Sequence, residues 1–181
     1  MSCLLALGFF TPAEIQHPVA EIAIAQPLMQ QAWEQGNHRG VLEVERRWPG
    51  AFPAFRLIAT KSDFDVIVLS GNSSRTLALG PGHLPSSAAP GETGNTVITG
   101  RRDTFARFLS SVDVDDSLVV ETLSGKQHLY RIVGIDVVDA RRSSIVLDTP
   151  QSMLSLVTAY PFDPADPADA LRLVVTARML F

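Results

Sequence analysis

The spacing of apolar positions changes more than once along this 181-residue chain. Residues Cys3 to Phe10 form an unbroken apolar run of eight. A membrane-spanning helix needs about 20 such residues. No Lys or Arg occurs before Arg39, so a cationic signal-peptide head and a positive-inside flank are missing from these residues. The run reads equally well as the remnant of a membrane anchor and as an apolar segment packing on the domain. Thr11-Pro12-Ala13-Glu14 is a helix start, with a capping hydroxyl, a proline suited to the first turn and a glutamate that reaches back to the cap. Ile22, Ala25, Met29 and Ala32/Trp33 then recur at helical spacing up to about Gln35. Pro18 and Pro27 each remove a backbone donor, so breaks are expected there. The polar stretch Gln35 to Gly40 and the turn Trp48-Pro49-Gly50 mark the end of this helical arm.

From Phe52 the period shortens. Phe55–Ala59, Phe64–Leu69, Thr96–Thr99, Leu118–Leu123, Leu129–Val138, Leu154–Ala159 and Leu171–Ala177 read as short strands. Ser124-Gly125 is a hairpin turn. Ser73–Leu79 reads as a helical turn, and Asp103–Leu109 as a short helix capped by Asp103. The Gly and Pro content of Gly80–Gly94 forbids a regular element, and a Pro- and Asp-rich loop runs from Pro161 to Asp169. Seven or eight short strands with few helices predict a mainly β fold, either a sandwich or a small closed barrel. The chain divides into the apolar run 1–10, a helical arm and linker 11–49, and a β domain 50–181.

Composition narrows the chemistry. Hydrophobic residues make up 46% and charged residues 19%, enough for a core and unlike a disordered chain. The net charge of −4 gives no nucleic-acid footprint. Cys3 is the one cysteine, so neither an intrachain disulfide nor a Cys-rich metal site is expected. His17, His38, His83 and His128 lack zinc spacing, and no metal or other cofactor is expected. Lys61 and Lys126 are the only lysines, so most cations are guanidinium forks suited to carboxylates.

Three segments carry more. They are Gly94-Asn95-Thr96-Val97-Ile98-Thr99-Gly100-Arg101-Arg102-Asp103-Thr104, then Leu154-Ser155-Leu156-Val157-Thr158-Ala159-Tyr160-Pro161-Phe162, then Leu171-Arg172-Leu173-Val174-Val175. Gly80-Pro81-Gly82-His83, Ala89-Pro90-Gly91-Glu92 and Val137 to Ser143 support them. In these segments, and in order from about Arg56 to Thr176, the chain resembles the sortase family, nearest to the sortases of Gram-negative proteobacteria. The resemblance implies a closed β-barrel of seven or eight strands and a cysteine transpeptidase that cleaves the Thr–Gly bond of an LPxTG-like sorting signal. It places an Arg at Arg172, which is retained, a nucleophilic Cys where Ala159 stands, and a His where Arg101 stands. It also implies substrate-binding roles for Thr158, Tyr160, His83 and Arg102, and a periplasm-facing protein associated with the inner membrane.

The two substitutions have consequences that need no family. A methyl group cannot attack a carbonyl. A guanidinium stays protonated at working pH and has no lone pair to accept a proton. The chain is therefore expected to be a pseudoenzyme that binds a peptide or protein with a C-terminal sorting-signal-like motif. The alternative is a working transpeptidase whose cysteine was removed by engineering at position 159. Ser155 shares the face of Ala159 but lies two pleats (~13 Å) away, and Thr158 points to the opposite face. His83 reads more readily as a structural histidine bonded to loop carbonyls than as a cleft residue. Arg101 and Arg172 would repel in one cleft unless Asp103 or Glu92 neutralises them, which is the favoured reading, or an anion lies between them.

Overall fold

The computed structural model describes residues 4–6, 18–34, 38–163 and 170–180. Its centre is a closed barrel of eight strands. In chain order the elements are β1 (Leu4–Ala6), α1 (Pro18–Glu34), α2 (His38–Arg47), β2 (Pro53–Ala59), β3 (Phe64–Ser70), α3 (Ser74–Leu79), β4 (Gly82–His83), β5 (Gly94–Thr99), α4 (Arg102–Leu109), β6 (Ser117–Thr122), β7 (Gln127–Asp139), β8 (Ser144–Val146), β9 (Ser152–Ala159) and β10 (Leu171–Met179). Around the barrel the order is β10-β7-β6-β2-β3-β4-β5-β9. Neighbours are antiparallel except β3/β4 and β5/β9, which run parallel. The mainly β, closed-barrel expectation is met.

Strand alternation explains the interior. In β2, Phe55, Leu57 and Ala59 face the core while Ala54, Arg56 and Ile58 are less buried, so each second residue faces inward. Leu154 and Leu156 of β9, Val175 and Ala177 of β10, and Tyr130 and Ile132 of β7 join them. Phe105 and Phe108 of α4 plug the same core, with Phe64 stacked on Phe108 at 3.8 Å between ring centroids.

The helical arm is fastened to the barrel wall. Ala25, Met29 and Ala32 of α1 and Val44 of α2 pack on Ile67, Leu69 and Leu79. β4 is only two residues long and reaches β3 only at Leu69 and Ser70. Earlier in β3 the backbone is met by side chains of α1 instead. Gln26 accepts from Ile67 N at 2.9 Å and donates to Ile67 O at 3.0 Å and Leu79 O at 3.1 Å. Gln30 donates to Asp65 O at 2.6 Å. Two glutamines one helical turn apart thus stand in for a neighbouring strand, pairing backbone groups of Ile67 and Asp65 that would otherwise need one.

Several local expectations are corrected. The break expected at Pro18 borders residues outside the described ones, Pro18 being the first described residue of α1. At Pro27, which is solvent-exposed, the helix continues without a break. The boundary expected at Gln35–Gly40 contains the start of α2, whose Val44 is buried against α1, so packing overrides the weak propensity of Gly40. α4 begins at Arg102, so Asp103 lies inside its first turn instead of capping it. The Gly80–Gly94 loop contains β4, and β8 is an additional short strand. The helix start at Thr11–Glu14 lies outside the described residues. Of the apolar run, Leu4–Ala6 pairs antiparallel with β8. No described helix is long and apolar enough to cross a membrane.

Candidate functional site

The site is built where β5, β9 and β10 lie side by side. In the antiparallel β9/β10 pair, Arg172 is the direct partner of Ala159 and Val174 that of Val157. Directly opposed residues share a face of the sheet. Leu154 and Leu156 of β9 point into the barrel, so Val157 and Ala159 lie on the outer face, and Arg172 and Val174 with them. A methyl group and a guanidinium are thus neighbours on the barrel's outer wall.

Arg172 is 7% exposed, and its Nη1 donates to Leu171 O at 2.8 Å. The same carbonyl accepts Tyr160 N at 3.0 Å, so one backbone oxygen ties the start of β10 both to the guanidinium and to the segment after β9.

The parallel strand β5 brings the second substituted position alongside. Thr99 is paired with Val157, and Gly100 N donates to Val157 O at 3.0 Å. Thr158 is 2% exposed, points away from Ala159 and donates its hydroxyl to Gly100 O at 3.0 Å. Its polar group is spent on locking the end of β5. Gly100 is required by close approach: a Cβ there would lie 2.5 Å from the Phe105 ring. The strand therefore ends tightly over α4, and Arg101 follows at once.

Arg101 is held side-on by Asp103. Its Nε lies 3.2 and 3.4 Å from the two carboxylate oxygens, and its Nη2 lies 3.3 Å from Oδ2. Of the two carboxylates weighed from the sequence, Asp103 balances Arg101, whereas Glu92 is exposed and makes no ion pair among the described residues. The charge of Arg101 is thus met by a carboxylate of this chain. Arg102 donates from Nη1 to Pro161 O at 3.1 Å and clamps the turn after β9. Tyr160 and Phe162, half-buried on either side of that proline, meet edge to face at 5.5 Å and pack on the main core.

His83 is a loop fastener. Its Nε2 lies 3.1 Å from Ala88 O and 3.0 Å from Ser87 Oγ. Ser87 spends its single proton on Leu84 O at 2.7 Å and accepts from Val97 N. A carbonyl only accepts, so Nε2 carries the proton and is the donor. The ring also meets Phe55 edge to face at 5.3 Å. Burial lowers the imidazole below its ordinary value of 6.5, with the Ala88 bond opposing. Ser155 is no substitute nucleophile either. It is 2% exposed, and its hydroxyl is 3.0 and 3.1 Å from the two ends of the Asn95 amide.

The structure thus brings Ala159, Arg172, Arg101 and Arg102 to one end of β5, β9 and β10, sets Tyr160 next to them, and turns Thr158 and His83 to structural bonds. Sequence reasoning missed the Gly100–Phe105 approach and the Arg102–Pro161 clamp. A glycine between a strand and a helix was the available signal for the first, while nothing local pointed to the second. The arrangement offers hydrogen-bond donors, and neither Ala159 nor Arg101 carries a nucleophile or a lone pair for acyl transfer.

Comparison with known proteins agrees with this architecture. A family model described as a sortase domain matches residues 58–180. Sortase D of Bacillus subtilis (strain 168) is 30% identical over 130 residues, which is 71% of this chain and 58% of that protein. The chain therefore spans somewhat over half the length of that curated relative. Among solved structures, a Clostridium perfringens Sortase D5 transpeptidase superposes with a TM-score of 0.69 at 17% identity, covering 90% of this chain and 99% of the other. Sortase A from Corynebacterium diphtheriae gives 0.64 at 18% identity, covering 91% and 92%. At such identities the superpositions show a shared fold, while the sequence match extends over most of the barrel. This chain belongs to the sortase family.

Proposed function

We propose that this sortase-family protein is a non-cleaving member that holds a peptide or protein bearing a C-terminal sorting-signal-like motif. The observation that carries this reading is the register pair Ala159–Arg172, with Arg101 fixed to Asp103 beside it. The retained guanidinium stands where a substrate carbonyl would be polarised, but the group opposite it is a methyl and the next cation cannot act as a base. The barrel around these positions is complete, so loss of chemistry has not cost the scaffold. Sorting-signal partners are met outside the cytoplasm, and we place the protein on the periplasmic side of the inner membrane. A reporter that is active only in the periplasm, fused after Phe181, checks that placement.

The direct test mixes the protein with an LPxTG-like peptide and an amine acceptor. Intact-mass spectrometry should show no acyl adduct, and product analysis no hydrolysis above a buffer blank. Anisotropy of the labelled peptide should rise saturably with protein concentration. Cleaved or transferred peptide would contradict the inactive reading, and a flat anisotropy curve would contradict the binding reading.

A further inference from the structure

β8 is a strand outside the barrel ladder. On one side it is held to the start of β5: Asn95 N donates to Leu147 O at 2.8 Å, and the Asn95 amide donates to Val146 O at 3.0 Å. On its inner face Ile145 and Leu147 join Val97, Val157, Leu84 and Val174 in a small apolar cluster. Val157 and Val174 are the residues two places along from Ala159 and Arg172 on the same outer faces, so β8 roofs the wall that leads to those positions. The remaining edge of β8 is taken by β1, with Leu4 opposite Val146, Leu5 opposite Ile145 and Ala6 opposite Ser144.

That pairing is unusually slight. It spans three residues and closes a two-stranded sheet, and such ribbons are marginal in water. Eleven residues separate Ala6 from Pro18, the first described residue of α1. A strand edge recognises a partner mainly through its backbone, and alternate side-chain positions add selectivity. The central position of the register faces Ile145, which is packed on the apolar cluster, so an apolar residue suits it.

We propose that the edge of β8 is a strand-addition site for an extended apolar peptide segment, and that Leu4–Ala6 is its displaceable occupant within the chain. The site is independent of the reading of the cleft, since it uses no group at Ala159, Arg101 or Arg172. A tethered occupant competes at an effective concentration in the millimolar range. A free peptide therefore binds weakly to the intact protein and well once the tethered strand is disabled.

The test is hydrogen exchange on the full chain and on the double variant Leu4→Pro with Leu5→Pro. Successive strand amides point to opposite sides, so the pair removes at least one donor facing β8 in either alternation. Exchange of the amides of 144–146 should accelerate about tenfold or more in the variant, with β9 and β10 unchanged. Adding acetyl-Leu-Leu-Ala-Leu-Gly-amide should restore protection in the variant and leave the unaltered protein as it was. The same peptide with Asp at its second position should not restore it. Unchanged exchange at 144–146 overturns the proposal, as does acceleration that spreads into β9 and β10. Failure of the apolar peptide to restore protection, or equal rescue by the Asp peptide, overturns it too.

Discussion

In the proposed reading the chemistry turns on two residues, and they can be tested separately. Ala159→Cys alone supplies a thiol beside Arg172, but Arg101 remains a permanent cation with no lone pair, engaged with Asp103. A single Ala159→Cys variant should therefore stay near the blank in peptide cleavage. Ala159→Cys combined with Arg101→His supplies both nucleophile and base, and a thioester adduct should become visible by intact-mass spectrometry. Efficient cleavage by the single variant would show that another group takes the proton. Asp103 would then be the first group to test, because its carboxylate lies 3.2 Å from Arg101 Nε beside Ala159.

At the scale of elements, side chains complete what short strands leave open. Gln26 is 9% exposed and satisfies two backbone groups of Ile67, where β3 lacks a strand neighbour, and the carbonyl of Leu79 at the end of α3. Gln26→Leu keeps the volume and strands those groups in the interior, which should cost about 2–4 kcal/mol and lower the urea midpoint without moving the barrel core. The loop before β5 is pinned in a similar way. Gly91 N donates to Tyr130 Oη at 2.9 Å, and Gly91 itself has φ +85 and sits over the His128 ring. A Cβ there would lie 1.9 Å from the ring. Gly91→Ala should destabilise by more than the roughly 1–2 kcal/mol of a left-handed alanine. In a His128→Ala background the clash is gone and only the backbone cost should remain, a difference that a double-mutant cycle reads directly.

For the whole molecule, the two described histidines of the barrel set a direction for acid sensitivity. Burial lowers both His83 and His128 below 6.5, and Lys126 lowers His128 further. In the unfolded chain each binds its proton more readily than in the folded one. Stability is therefore full above about pH 6.5 and falls as pH drops through the lower folded values, where the unfolded state holds more protons. Both rings secure the same loop, at Ala88 and under Gly91. Thermal melts should thus shift downward on acidification in that window, and exchange of the Leu84–Gly91 amides should accelerate before that of β9 or β10. A His83→Gln variant should show a flatter profile than the parent. An unchanged profile in that variant would remove His83 from the account.

The mainly β class and the positions of most strands were legible in the sequence pattern, the closed barrel followed from the family resemblance, and the resemblance also pointed to Ala159, Arg101 and Arg172, which the fold brings to one end of β5, β9 and β10. Alternating burial, turn residues and three ordered segments all reside in local stretches of chain. The chemical character of two of these positions was legible too, because a methyl at Ala159 cannot be a nucleophile and a guanidinium at Arg101 has no lone pair in any fold. What local stretches could not carry was contact between distant parts. α2 forms because Val44 finds Met29 and Ile67, against the propensity of its glycine. β8 exists because Asn95 and Leu4–Ala6 meet it from opposite sides. Of the two carboxylates the sequence offered to Arg101, the tertiary fold chose Asp103, by starting α4 at Arg102 and so bringing that carboxylate within reach. His83 was likewise turned to Ala88 by a loop whose path no periodicity encodes. Residue identity fixes which reactions are impossible, whereas the pairing of side chains far apart in sequence depends on packing that only the folded chain supplies.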